Sequence, residues 1–319
     1  MIEIVTCRNE ADEQVSLDVW NDVWPHERVG LPEVHSHKAG LRDNVDLIAR
    51  VDGNLAGSAV GGIEPQRPDL GTALVTVLRE QRRCGVGMAL YEAISTWARE
   101  RTLDVVEAVV ADDDPESLGF AHRRGFVEDR REKGVALRLA GIEPPRVERP
   151  DGIEIVTWAQ RPELTRGIYE VAVEALPDIP GWEHELVEPF DDWLAHDMRG
   201  SGDRPEATFL AVAGDEVVGY AKFSLTDATP TIAHHDLTGV KHAWRGRGVA
   251  RALKATQIAW AKENGYEELR TRNDERNAPI RKLNEDFGYR PTIGRIYLKG
   301  PLAGAAVADG RAGGARVSS

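Results

Sequence analysis

Cysteine is nearly missing from this 319-residue chain: Cys7 and Cys84 are the whole supply, and neither stands in a metal-binding or redox motif. A disulfide framework is thereby excluded, no metal is expected, and a reducing cytoplasm is the expected location. Long apolar runs are missing as well. No stretch of about eighteen apolar residues occurs, so no transmembrane helix is expected. The opening, "MIEIVTCRNEADEQ", is a strand pattern followed by acids, unlike a positively charged leader. Positive charge is also short: the net charge is −13, which argues against a nucleic-acid partner because phosphate backbones call for a basic footprint. Lysine is scarcer still, at eight of the forty basic residues, a bias of genome composition more than of chemistry. What remains is 41% apolar and long enough for two domains of about 150 residues each.

The chain reads as one plan written twice. "IEIVT" opens the first half at Ile2 and the second at Ile153. Each half then carries two apolar runs flanking a Gly/Asp/Asn turn, "LIARVDGNLAGSAVGG" from Leu47 and "FLAVAGDEVVGYAKFS" from Phe209, which predict β-hairpins. Leu74, Val77, Arg82, Gly85, Leu90, Gly125 and Phe126 have counterparts 163 residues on at Leu237, Val240, Arg245, Gly248, Leu253, Gly288 and Tyr289. A constant offset over some fifty positions marks a tandem repeat. The expected boundaries are a first domain over 1–140, a Pro-rich exposed linker over 141–152, a second domain over 153–300 and a disordered Gly/Ala-rich tail over 301–319.

At the strand-to-helix junctions stand "RRCGVG", Arg82 to Gly87, and "RGRGVA", Arg245 to Ala250. A helix start leaves backbone N–H groups unpaired and concentrates positive charge. Glycine lets a ligand approach that backbone, and arginine adds a charge-assisted contact, so the junction is built for an anion such as pyrophosphate. The GxxxxGK[ST] spacing of a phosphate loop is absent, and the dinucleotide fingerprint lacks its third glycine. A glycine-rich turn that merely connects strand to helix is the plain alternative.

Both junctions match the R/Q-x-x-G-x-G/A signature, and the "GF" at Gly125 and "GY" at Gly288 match the closing motif, so each half resembles the GCN5-related N-acetyltransferases. The resemblance covers nearly all of both halves. It implies two mixed α/β domains, each with an acetyl-CoA slot where the fourth and fifth strands splay apart. In the second half it implies that Thr238 and Val240 pair with the pantetheine arm and that Arg245, Gly246, Arg247, Gly248, Val249 and Ala250 hold the pyrophosphate. Val77, with Arg82, Arg83, Gly85, Val86 and Gly87, would do the same in the first half. Asn277 matches the family's asparagine before the last helix, and Asp114 departs from it.

Acetylation of an amine needs a neutral nitrogen, and a lysine-like amine of pKa about 10.4 is neutral about once in a thousand molecules at physiological pH. A base, or a water chain to one, therefore matters most. The resemblance places such a base about eleven residues before the motif arginine, at His234 in "TIAHHDLTGV", with Asp236 on the same strand face if no bulge intervenes. A solvated strand end explains the same residues. The position of the family's acidic tyrosine holds Asn284 in the second half and Ala121 in the first, so Asn284 is read as a contact to the sulfur region. Aromatic and acidic residues interleave in "IPGWEHELVEPFDDWLAHD", Ile179 to Asp197, and in "VWNDVWPHERVGLPEVHSH" of the first half. They predict walls for a cationic or sugar-amine acceptor, or else ordinary amphipathic helices.

The expectation is an acetyl-CoA-dependent N-acetyltransferase acting by direct transfer on a small-molecule primary amine, with the chemistry in the second half and a degenerate first half. The two-domain layout is similar to mycothiol synthase-like acetyltransferases, which implies a cysteinyl sugar as one acceptor. A non-catalytic acyl-CoA-binding pair of domains is the alternative from another class. Monomer and homodimer are both compatible with the sequence.

Overall fold

The computed structural model describes residues 1–181 and 187–304. Hairpin chemistry sets the two ends of the sheet. Asp52 and Gly53, at φ 49° and 84°, make the two-residue turn between β2 (Asp43–Val51) and β3 (Asn54–Ile63). Gly214, at φ 61°, opens the matching turn between β8 (Thr208–Ala213) and β9 (Glu216–Leu225). The strands β1 (Ile2–Thr6) and β7 (Ile153–Thr157) pair antiparallel with β2 and β8 at the two edges. On the inner side, β4 (Gly71–Val77) follows β3 and β10 (Ile232–Val240) follows β9.

Among the described residues eight α-helices accompany the sheet: α1 (Glu10–Val23), α2 (Leu31–Ala39), α3 (Val86–Glu100), α4 (Pro115–His122), α5 (Thr165–Ala175), α6 (Phe190–His196), α7 (Val249–Glu263) and α8 (Ala278–Asp286). In each half the helix after the glycine loop is strongly one-sided. Leu90, Ile94, Trp97 and Ala98 of α3 are buried in the first core, as Leu253, Ile258 and Ala261 of α7 are in the second.

The centre of the molecule departs from two self-contained domains. The twelve strands of the described residues form one sheet in the order β1-β2-β3-β4-β5-β12-β6-β11-β10-β9-β8-β7. The first half's last strand, β6 (Val127–Arg138), pairs with β11 (Glu268–Asp274) of the second half, from Arg138 opposite Glu268 to Glu132 opposite Asp274. Reciprocally, the chain's last strand, β12 (Arg290–Pro301), pairs with β5 (Val105–Ala111) of the first half. Each half thus completes the other's sheet. The cores follow the strands: Ile296 and Leu298 are buried in the first core, and Leu137 and Leu139 in the second. The exchanged strands lie so close that a Cβ on Gly134 would collide with the Ile293 carbonyl.

The first residues of the tail expected to be disordered are ordered. Leu302 and Ala303 are buried against the first core, where the Ala303 amide donates to Ser95 Oγ at 2.8 Å. The remainder of that tail, 305–319, lies outside the described residues. No helix among the described residues is long and apolar enough to cross a membrane.

Candidate functional site

Parallel strands that part after a few residues create the two slots. The strands β4 and β5 are in register only at Gly71–Val106 and Thr72–Glu107 before they diverge. The strands β10 and β11 hold together from Ile232–Glu268 to His234–Arg270 and then part likewise. A one-residue bulge in β10 between His235 and Thr238 accompanies the divergence.

At the open end of each slot sits the glycine loop, built in the same way twice. Gly85 and Gly248 precede α3 and α7 at φ 88° and 89°, without a side-chain cap, so the first helical amides point outward. Arg82 and Arg245 each donate Nε back to the strand, to the Val77 carbonyl at 3.4 Å and the Val240 carbonyl at 2.9 Å. Val86 and Val249, the first helical residues, are buried and anchor the turn. The loops differ at one backbone position: Arg83 adopts φ 66° where the second loop has Gly246 at φ 73°. Arg83 is tied to Glu116 at 2.7 Å, and Arg245 to Asp178 at 2.6 Å. Arg247 lies 5.0 Å from the Trp244 ring centre, while Ala250 packs on the second core. Thr238 and Val240 are paired with Ala221 and Gly219 of β9.

The first slot opens into a cavity of about 800 Å³. Val77, Arg82, Arg83, Gly85 and Gly87 line its loop end, Tyr91, Ala121 and Phe126 its helical side, and Ala108 to Ala111 its strand side. Its far wall crosses into the other half, to His234, Arg270 and Arg272. No residue of Arg245 to Ala250 lines this cavity, nor do Asn277 and Asn284. In the second slot the corresponding side chains are larger or polar: Lys254 for Tyr91, Asn284 for Ala121 and Tyr289 for Phe126. There the phenol of Tyr289 donates to His235 Nε2 at 2.6 Å, and His235 Nδ1 donates to Gln257 Oε1 at 3.0 Å. Asn284 Nδ2 donates to Asn273 Oδ1 at 2.9 Å.

The acetyltransferase (GNAT) family model matches residues 11–126 and again 165–289, together more than half of the chain. The chain belongs to the GNAT acetyltransferase family. Among curated relatives, an aminoglycoside N(6')-acetyltransferase type 1 from Stenotrophomonas maltophilia is 30% identical over 120 residues, 35% of this chain and 78% of that protein. A mycothiol acetyltransferase from Catenulispora acidiphila is 27% identical over 225 residues, 68% of each chain. The fold is shared with a tandem GNAT protein from the clavulanic acid biosynthesis pathway (TM-score 0.75, 20% identity, 95% of this chain and 99% of that one). It is also shared with a GCN5-related N-acetyltransferase from Sphaerobacter thermophilus (TM-score 0.74, 20% identity, 94% and 96%). The two matched regions are two tandem GNAT folds, and the family uses acetyl-CoA.

Within this GNAT pair the two residues expected to carry base chemistry are separated in role. The His234 ring makes no hydrogen bond among the described residues, and it borders the large cavity. Burial and the nearby cations Arg272 and Arg270 lower its pKa to about 4, so its ring is neutral at physiological pH. Asp236 lies 2.7 Å from the buried ammonium of Lys222, which also bonds Asp203 at 2.9 Å and the Asp197 carbonyl. In the same cluster burial raises the carboxyl of Asp197 to about 6. Asn277 accepts from the Ile280 amide as the N-cap of α8, and Asp114 accepts from Ser117 as the N-cap of α4, so the departure from asparagine keeps the cap.

Of the acceptor-wall candidates in the second half, Trp182, Glu183 and Glu185 lie outside the described residues. Trp193 and Phe190 pack with Tyr169, and the Glu188 carboxylate is engaged by Gln66 at 2.6 Å and His196 at 3.1 Å. The corresponding first-half segment, Trp24 to Glu27, does border the cavity. Sequence reasoning missed how it is held. Glu27 pairs with Arg272 at 2.6 Å and with Arg295, while Arg270 donates to the His26 carbonyl at 2.7 Å. These partners lie 244 to 268 residues away, and nothing in local spacing signals them. The loop between α1 and α2 is therefore clamped onto the second half's strands.

Proposed function

We propose that the chain is an acetyl-CoA-dependent N-acetyltransferase for a small-molecule primary amine, with the productive site in the cavity of the first half. The observation that supports this is the continuity of one cavity from the Arg82–Gly87 loop, past the β4–β5 divergence, to the Glu27 and His234 walls. Its volume of about 800 Å³ lies within the range of roughly 300–1,000 Å³ usual for small-molecule sites, with room for a thioester arm and a small acceptor. This moves the chemistry from the second half, where the sequence placed it, to the first.

In this reading the α3 amides and Arg82 hold pyrophosphate and the arm lies along β4. The acceptor nitrogen approaches from the wall shared with the second half. It attacks the thioester carbonyl carbon, the C–S bond breaks, and the thiolate leaves. A thiol of pKa about 8.5 leaves without a dedicated acid, so Ala121 at the tyrosine position is no obstacle. His234 is a weak proton sink: a gap of about six pKa units from an alkylamine costs about 8 kcal/mol. Its neutral ring instead accepts a hydrogen bond from the uncharged amine and orients it, while the proton departs through water.

The test is thiol release from acetyl-CoA across an amine panel that includes an aminoglycoside and a cysteinyl sugar, the acceptor types met among the relatives. We expect His234→Ala to lower kcat/KM for the accepted amine by about tenfold or more, the loss of one well-placed hydrogen bond. His234→Gln, which keeps an acceptor, should recover most of it. The binding-only reading draws on the missing tyrosine acid. It gains if acetyl-CoA binds and no amine in the panel releases thiol.

A further inference from the structure

The far wall of the cavity sets three polar side chains on one face of the sheet. Arg270 and Arg272 stand two apart on β11, about 7 Å along the strand, and so point the same way. His234 is the register partner of Arg270 on the neighbouring parallel strand, about 4.8 Å across, and shares that face. Ala233 and Leu269, one residue back on each strand, face the opposite way into the second core. Beyond the His234–Arg270 pair the strands part, so Arg272 has no register partner on β10. All three side chains line the cavity.

Each guanidinium is fixed by some of its donors and keeps another open. Arg270 donates Nε to Glu268 at 2.5 Å and Nη1 to the His26 carbonyl at 2.7 Å. Arg272 donates Nη1 to Glu27 at 2.6 Å, with Glu132 3.7 Å from its Nε. The Nη2 of each makes no hydrogen bond among the described residues. Glu27 also lines this end, but both its oxygens are taken, Oε1 by Arg272 and Oε2 by Arg295. Glu268 and Glu132 lie outside the lining. The field that reaches His234 is accordingly positive: burial, then Arg272, then Arg270 lower its pKa, and the opposing Glu268 is the weakest of these causes. A guanidinium held in advance loses less freedom when it takes an anion, and its planar fork fits a carboxylate.

We propose that the acceptor carries a carboxylate beside its amine, bound by Arg270 and Arg272, so that the site selects amino acids among primary amines. This deepens the function proposed above and rests on it for the reaction at the amine. With the amine at His234, the strand spacings of about 5–7 Å leave only a few bonds between the amine and the carboxylate. A polycation such as an aminoglycoside meets charge of its own sign at this wall. Both arginines belong to the second half, which thereby supplies acceptor recognition to the first half's slot.

Thiol release from acetyl-CoA by the full chain, measured for each common amino acid against its own carboxamide, tests this without any substitution. Amidation removes the negative charge and also lowers the amine pKa, leaving more of it neutral, so a site indifferent to charge favours the amide. We expect the acid to exceed its amide in kcat/KM by about 10- to 100-fold, the effect of one charge-assisted contact. Arg270→Gln and Arg272→Gln should raise the KM for the acid and bring the acid-to-amide ratio toward one. The proposal is overturned if the unaltered chain prefers the amide, or if both variants lose acid and amide activity equally, as a loosened loop alone would cause. Preference for O-phosphoethanolamine over ethanolamine, with none for acid over amide, overturns it in favour of a phosphate. Calorimetric titration of the same acid and amide pairs in the presence of coenzyme A reads binding without turnover. Acids that bind tighter than their amides yet release no thiol would uphold the carboxylate site and sink the function proposed above. Thiol release with no acid preference would do the reverse.

Discussion

Residues 1–140 expressed alone should fail to fold, and so should residues 153–304, because each lacks a strand that only the other supplies. Without β12 the first half loses Ile296, Leu298 and Leu302 from its core. At about 1.5–3 kcal/mol for each buried side chain, that removes about 5–9 kcal/mol. A domain's whole stability is about 5–15 kcal/mol, so the loss consumes most of it before the unpaired edges of β5 and β6 are counted. The second half loses Leu137 and Leu139 in the same way. Thermal melts followed by circular dichroism should show no cooperative transition for either fragment, and one transition for the intact chain. Fragments 1–140 and 141–304 produced together should recover it. A cooperative melt of 1–140 alone would mean that the strand exchange is dispensable and that the halves are independent domains.

The second large effect concerns Arg82. Arg82→Glu should raise the KM for acetyl-CoA about 100-fold or more in amine acetylation. A charge-assisted hydrogen bond contributes about 1.5–3 kcal/mol, and the reversed charge adds repulsion at a loop whose helix amides attract an anion. Arg245→Glu should leave that KM within a few-fold, since Arg245 borders no part of the first half's cavity. Steady-state kinetics on both variants decide it. The opposite pattern would return the chemistry to the second half.

The local chemistry of this chain is written plainly in its sequence. The hairpin turns at Asp52–Gly53 and Gly214 and the glycine loops before α3 and α7 follow from short-range residue preferences, and each is present, while the bulge after His235, left open by the sequence, is seen in the strand pairing. What the sequence hides is partnership over distance. The strands β6 and β12 carry the right pattern for a strand, but nothing in either one names its neighbour, so the simplest reading kept each within its own half. The Glu27 clamp is hidden for the same reason.

The contrast between the two slots was visible only by pairing positions. Tyr91 against Lys254 and Ala121 against Asn284 are unremarkable singly, and side by side they give one open slot and one lined with buried polar groups. His234 shows the limit of residue type as a guide. Histidine at that position reads as a base, yet burial beside Arg270 and Arg272 lowers its basicity, and the proposed function therefore gives it the part of an acceptor.

Hydrogen–deuterium exchange with and without acetyl-CoA tests the central claim most directly, because it reads where the molecule sits without requiring the acceptor. The account predicts slowed exchange at the amides of residues 82–88 and along β4 from Ala73 to Val77, and loss of that protection in Arg82→Glu. Unchanged exchange at 82–88, with protection confined to 245–251, would contradict it.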